Sequence, residues 1–150
     1  MPALEYRIDA TRPATHELAV TLELAIPSAA VDSGTVGSAA ARSAANRSAA
    51  IGAAPAPPTP APGTTEVLLF LPVWTPGSYL VREFARHLSR VTAVDAGSGA
   101  ALDCRKVEKN RFAIAAPPGT QRVRVSYSVY AHELSVRTAD ATAEHAYWNH

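Results

Sequence analysis

Two segments of the chain alternate between apolar and polar or small side chains. From residue 16 to residue 26 the two sets are Leu18, Val20, Leu22, Leu24 and Ile26 against Glu17, Ala19, Thr21, Glu23 and Ala25. Residues 122–130 follow the same rule, with Val123, Val125, Tyr127 and Val129 against Arg122, Arg124, Ser126 and Ser128. Successive side chains of a strand point to opposite faces, so this period of two predicts strands with one wet face.

Shorter apolar runs bounded by glycine and proline indicate further strands, around Tyr6 and over 66–71, 91–94, 102–106 and 111–115. Residues 134–137 either continue the strand over 122–130 or begin another. Near-helical spacing of Leu80, Phe84, Leu88 and Val91 predicts one or two helical turns. We therefore predict a mostly β fold, an antiparallel β-sandwich or a saddle-like curved sheet, with one short helical segment and a long disordered insertion.

The insertion is predicted over residues 28–63, where Ser-Ala-Ala recurs and a proline-dense run follows. Such a composition cannot repay the entropy of ordering by burial. Lengthening a loop from about 4 to about 36 residues costs roughly 2 kcal/mol, because closure entropy grows only logarithmically. Residues 1–27 and 64–150 are therefore predicted to form one β-rich domain around the insertion.

Composition and charge exclude several classes of function. The net charge is +1, and charged residues make up 18% of the chain with both signs interspersed. A nucleic-acid or anionic-membrane surface would need a basic stripe, so neither partner is expected.

The lone Cys104 excludes an internal disulfide and a cysteine-based zinc cluster. The start of the chain is unlike a signal peptide and no apolar run could span a bilayer, so a cytoplasmic location is expected.

Two segments resemble the first half of a zinc-peptidase helix: His16-Glu17-Leu18-Ala19-Val20 and His132-Glu133-Leu134-Ser135-Val136. That motif requires a second histidine four residues after the first, where this chain has valine. Both segments are also strand-patterned, which would separate such residues by more than one metal ion can span. We expect surface residues at strand ends and no metal or catalytic residue. Cys104, inside a predicted strand, is expected to be structural.

The segment over residues 72–87 is the most specific part of the chain. It reads Pro-Val-Trp-Thr-Pro-Gly-Ser-Tyr-Leu-Val-Arg-Glu-Phe-Ala-Arg-His. Pro76-Gly77 predicts a tight turn that fixes the directions of Tyr79 and Arg82. Trp74, Tyr79 and Arg82 are candidates for substrate-side or interdomain contacts. On physical grounds alone the alternative is favoured, in which Trp74 and Tyr79 fill the core and Arg82 pairs with an acidic group.

This segment closely resembles the signature of the N-terminal domain of glycyl aminopeptidase-type zinc metallopeptidases, PDZ-bearing relatives of the large zinc aminopeptidases. Residues 127–138 resemble the last strand of that domain, and Tyr147-Trp148-Asn149 the step that follows it. The resemblance implies a β-rich saddle that leans on a thermolysin-like domain, which holds the zinc. The family's zinc ligands and glutamate base lie downstream and none maps onto this sequence. The Ala/Pro-rich insertion departs from the family, where this connection is short.

The resemblance implies a non-catalytic N-terminal domain of a zinc-dependent aminopeptidase. This domain would shape the substrate cleft and dock on a catalytic domain, and it would hold no cofactor itself, since zinc belongs to that other domain. The expected partners are that domain, a PDZ domain and a peptide substrate. The alternative is a stand-alone β-sandwich that binds a protein or glycan. We further expect the domain to be truncated at its C-terminal end, with an exposed edge on its last strand and weak stability.

Overall fold

The fold is described from a computed structural model covering residues 4–26, 62–74, 77, 79–133, 135 and 138–148. Most of it is strand. The strands are β1 (Leu4–Asp9), β2 (Glu17–Ala25), β3 (Thr65–Phe70), β4 (Leu88–Asp95), β5 (Ala101–Glu108), β6 (Arg111–Ala116), β7 (Arg122–Tyr130), β8 (Asp140–Ala141) and β9 (Ala146–Tyr147). Two short 3-10 helices, Pro13–Thr15 and Phe84–His87, precede β2 and β4. None of the described helices is long and apolar enough to cross a bilayer.

Seven strands form one antiparallel sheet in the order β1-β2-β7-β4-β5-β6-β3, and the sheet curls into a half-barrel. β8 and β9 pair with each other as a small second sheet, and an isolated bridge links Asp140 of β8 to His132. The two segments with the strictest alternation, β2 and β7, are direct neighbours over their full length. Leu22 lies opposite Val125, and Leu24 lies opposite Val123. Register between them is therefore set by matching apolar faces.

One face of the sheet carries the core. Its buried members come from four different strands: Leu22, Ala93, Ile114, Ala116, Val123 and Val125. Ile114 and Val123 have no solvent-exposed area. Curling brings β3, β5 and β6 over β2, β4 and β7, so that these side chains pack against each other without a second sheet. Of the two predicted forms, the curved sheet is the one observed, and the short predicted helical segment is the 3-10 helix Phe84–His87.

A bulge in β4 allows a side chain of this strand to contact β2 and β7. The pairing of β4 with β7 shifts between Ser89 and Thr92, and Arg90 there adopts the left-handed backbone conformation, with φ of 55°. The bulge directs the Arg90 guanidinium toward the Glu17 carboxylate, which it pairs with, and toward the Ser128 hydroxyl at 2.8 Å. Ser128 is buried, so this hydrogen bond satisfies a polar group that water cannot reach.

Two of the predicted segments fall largely outside the described residues, and the edges of the sheet are formed by its first and third strands. β7 lies between β2 and β4, and the described sheet ends at β1 and β3. Residues 117–121 connect β6 to β7, which are not neighbours in the sheet. The insertion predicted over 28–63 lies outside the described residues except for its last two positions. Of the segment predicted at 134–137, only Ser135 is described, and it lies in a bend.

Candidate functional site

The segment between β3 and β4 is a closed loop. The amide of Leu71 donates to the Asn110 carbonyl at 2.9 Å, and the Asn110 side-chain amide donates to the Leu71 carbonyl at 2.7 Å. Farther along, the amide of Arg82 donates to the Val73 carbonyl at 2.7 Å and closes the loop at its neck. These bonds fix the loop, called here the 71–83 loop, against the turn between β5 and β6.

Apolar side chains of the 71–83 loop point into solvent. Trp74 is 55% exposed and Tyr79 is completely exposed, and Leu80 and Val81 are exposed as well. The favoured sequence interpretation, that Trp74 and Tyr79 fill the core, is therefore wrong. The physical reason is that the hydrogen bond between Val73 and Arg82 closes a loop on which Trp74 and Tyr79 face solvent instead of the core. Arg82 itself is half-buried at that neck.

The exposed apolar surface continues onto the edge strand before the loop. Leu68 and Phe70 are 59% and 70% exposed and lie on the face of β3 opposite to the core residues Val67 and Leu69. The loop and these two side chains together hold most of the exposed large apolar side chains in the described part of the chain. Exposed apolar side chains concentrated in this way make the loop and the end of β3 a candidate interaction site.

A second apolar feature is a groove of about 650 Å³ on the core-bearing face of the sheet. It lies beside one end of the neighbouring strands β1, β2, β7 and β4. Its walls are formed by residues at the start of the 71–83 loop and directly after it, and by the segment that follows β7. We call it the apolar groove; it is lined by Tyr6, Ile8, Leu18, Val20, Leu71, Pro72, Phe84, His87, Leu88, Tyr127, Val129, Tyr130, Glu133, Thr138, Ala139 and Trp148. Pockets that bind ligands or partner side chains have this mostly apolar lining with few polar groups.

The polar wall of the apolar groove is built around His87. Its ring lies nearly parallel to that of Tyr130, with 6.5 Å between centroids. Its Nε2 atom accepts a hydrogen bond from Arg86 Nε at 3.0 Å and lies 3.6 Å from a carboxylate oxygen of Glu133. Burial, and secondarily the Arg86 charge, lower the pKa of His87 against the opposing effect of Glu133. The imidazole is therefore neutral at pH 7.

A cluster of histidines fixes the segment after β7 to the start of β2. His16 and His132 stack with 3.8 Å between ring centroids, and Nδ1 of His16 donates to the Ala141 carbonyl at 2.6 Å. The buried carboxylate of Asp140 lies 2.9 Å from Nε2 of His145 and 3.6 Å from Nδ1 of His132. These contacts order the connection that carries the chain to Trp148 beside the apolar groove.

The fit of this cluster to a metal ion is poor. Over the described ranges, no three His, Cys, Asp or Glu side chains are placed to hold one. Nδ1 of His16 is committed to a carbonyl, and His132 and His145 contact different oxygens of Asp140. Cys104 is half-buried in β5, and burial raises the pKa of its thiol, which disfavours the thiolate that a nucleophile or ligand requires.

The family described as the peptidase M61 N-terminal domain matches residues 5–150. The chain belongs to this family. The match covers the apolar groove, the 71–83 loop and the histidine cluster, so these are features of a peptidase N-terminal domain. No curated protein sequence matches the chain.

The fold of this M61 N-terminal domain is also found in a solved structure. The crystal structure of an aminopeptidase N family protein from Idiomarina loihiensis matches with a TM-score of 0.59 and 24% sequence identity. The match covers 93% of the present chain and 17% of the other chain. At this identity the likeness concerns the fold alone. The present chain thus spans about a sixth of the length of the protein it resembles.

Sequence reasoning found the 71–83 loop but missed the apolar groove and the histidine cluster. The strand residues that line the groove lie on the same face as the core residues. The alternation of apolar side chains therefore does not show which of these residues other side chains cover and which line a groove. The cluster joins His16, His132 and His145, which are far apart in sequence. His16 and His132 each begin a His-Glu-Leu pattern, which was a signal in the sequence. That pattern resembles a zinc-peptidase helix, so it did not indicate that the two rings stack on each other.

Proposed function

We propose that this chain is the non-catalytic N-terminal domain of a zinc-dependent aminopeptidase, and that it shapes one wall of the substrate cleft and docks on a thermolysin-like catalytic domain. Membership of the M61 N-terminal family over residues 5–150 carries the proposal. The structural match to a small part of a much longer aminopeptidase N family protein supports it. In this proposal the zinc and the catalytic residues belong to the other domain.

The docking surface that we propose is the apolar groove together with the 71–83 loop. Both are apolar, and they adjoin because Leu71 and Pro72 at the start of the loop, and Phe84 directly after its end, line the groove. Trp148 also lines the groove at 39% exposure. The centres of protein interfaces are rich in aromatic residues that fill pockets on the partner. The apolar groove and the exposed aromatic side chains beside it have this composition.

Trp74, Tyr79 and Arg82 have separate roles in the proposal. Trp74 and Tyr79 are exposed on a loop whose neck is closed by a hydrogen bond between Val73 and Arg82. In the proposal, they supply the aromatic contacts to the partner surface. The amide of Arg82 closes the neck of the loop, and in the proposal its side chain contributes to the contact with the peptide or with the catalytic domain. The proposal keeps the cytoplasm as the location, on the basis of the lone Cys104.

The test uses the protein expressed from its complete coding sequence. Leu80→Asp together with Val81→Asp places charge on the proposed interface, while Leu4→Ser alters a similarly exposed apolar residue on the opposite edge of the sheet. We expect the double variant to unfold in two separate transitions and to lose at least about tenfold in kcat/KM on an aminoacyl anilide, since interface charges cost 2 kcal/mol or more. Leu4→Ser should behave as the wild type.

Equal melting and equal kcat/KM for the double variant and the wild type would overturn the docking proposal. If, in addition, the isolated chain folded cooperatively and bound peptides or glycans through the 71–83 loop, the stand-alone binding module would be the better account. Tyr79→Phe and Arg82→Ala test the finer claim, because they should lower turnover or docking without unfolding the sheet.

A further inference from the structure

A single histidine forms part of the wall of the otherwise apolar groove. The side chain of His87 is 18% exposed, so most of the imidazole is shielded from water. It is held from three sides: by Arg86 on its own 3-10 helix, by Tyr130 at the end of β7, and by Glu133 in the segment that follows. The other titratable side chains of the groove are Tyr6 and Tyr127.

The contacts of Nε2 of His87 differ between its two protonation states. In the neutral ring this atom accepts the hydrogen bond from Arg86 Nε at 3.0 Å. A protonated Nε2 cannot accept and would face the Arg86 cation directly. The Glu133 oxygen at 3.6 Å is the nearest acceptor for the new proton, but Glu133 is also the partner of Arg86, at 3.3 Å. Protonation therefore replaces the Arg86–His87 bond with competition between two cations for one carboxylate.

We infer that protonation of His87 weakens docking of the catalytic domain in the apolar groove, which makes the assembled protein sensitive to mild acid. This inference rests on the docking proposed above. Imidazole changes charge between about pH 5 and pH 8, so the range is one that a cell compartment or medium can reach. A charge in the wall of an apolar groove must be desolvated when the partner covers it, and this opposes the covered state. Burial of His87 and the neighbouring Arg86 both lower its pKa, which agrees with a neutral docked state.

The experiment measures hydrogen exchange by mass spectrometry on the complete protein at about pH 7.5 and about pH 5.5, with rates corrected for intrinsic pH dependence. The peptides that report on the groove cover residues 83–88 and 131–139, outside the central strands. Their protection should fall at least about fivefold in acid, the low end of ordinary coupling between sites. In His87→Gln, whose amide oxygen can still accept from Arg86 but does not titrate, the fall should be absent.

His145→Gln is the matched control, because His145 contacts Asp140 in the histidine cluster and does not line the groove. It should keep the wild-type fall in protection. Three outcomes separate the claims. Fast exchange of both peptides at both pH values would overturn docking itself. Equal protection at both pH values would overturn the His87 switch and leave docking standing. A fall in protection that persists in His87→Gln would also overturn the switch.

Discussion

The imidazole rings of His16 and His132 stack on each other, with 3.8 Å between centroids and 28° between ring planes. Each ring begins a His-Glu-Leu segment, one just before β2 and the other just after β7. Antiparallel pairing of β2 with β7 places the start of one strand beside the end of the other, since Glu17 lies opposite Tyr130. The sheet thus brings the two histidines together at one end, where they link the start of β2 to the segment after β7.

Asp140 is predicted to be the most important polar residue of the histidine cluster. Its buried carboxylate bonds to His145 and faces His132, so Asp140→Ala leaves both imidazoles without their acceptor. We expect a loss of about 1–3 kcal/mol in the free energy of unfolding, measured by urea denaturation. Glu144→Ala, a change to an exposed acid in the same segment, is the control. Equal stability of the two variants would contradict the account.

The core prediction compares two aliphatic residues on adjacent strands. Ile114 of β6 is completely buried, and Leu68 of β3 is 59% exposed on the opposite face. Ile114→Ala should reduce the free energy of unfolding by about 2–5 kcal/mol through lost burial and a new cavity. Leu68→Ala should change it by less than about 0.5 kcal/mol. Similar losses in denaturant titrations of both variants would mean that the core lies elsewhere.

His87 gives the fold its predicted acid sensitivity. Its pKa is lowered in the folded state, mainly by burial, from an ordinary value of 6.5. Between the lowered pKa of the folded state and pH 6.5, the unfolded chain binds more protons than the folded chain. The free energy of unfolding therefore keeps the full contribution of His87 above pH 6.5. It decreases as the pH falls from 6.5 through the folded-state pKa. His87→Gln should flatten the dependence of the thermal midpoint on pH between about 7 and 5. An unchanged slope would contradict this assignment.

Cys104 is predicted to be a slow thiol. Burial and the adjacent Asp103 charge raise its pKa, so little thiolate is present near neutrality. A disulfide reagent at about pH 8 should label the native chain more slowly than the urea-unfolded chain, because the thiolate is the reacting species. Asp103→Asn should increase the native rate slightly. Native labelling as fast as unfolded labelling would show that the thiol is open and reactive.

The strands could be predicted where a residue pattern is both long and local. Leu22 and Val125 face each other because the alternation in β2 and β7 leaves one register that buries both apolar faces. β8 and β9 have two residues each, too few for any period, and were not predicted. The exposure of Trp74 could not be predicted, because large aromatics usually fill cores and only the Val73–Arg82 hydrogen bond shows that the loop leaves the sheet.

We propose above that this domain supplies surface, while the hydrolytic chemistry belongs to another part of the polypeptide. The most direct test compares bound zinc, by elemental mass spectrometry, and amino acid release from peptides for the 150-residue chain and for the complete protein. With β structure verified by circular dichroism, the chain alone should hold less than about 0.1 zinc per molecule and release nothing, whereas the complete protein should hold about one zinc and be active. Stoichiometric zinc and peptide hydrolysis by the chain alone would contradict the account.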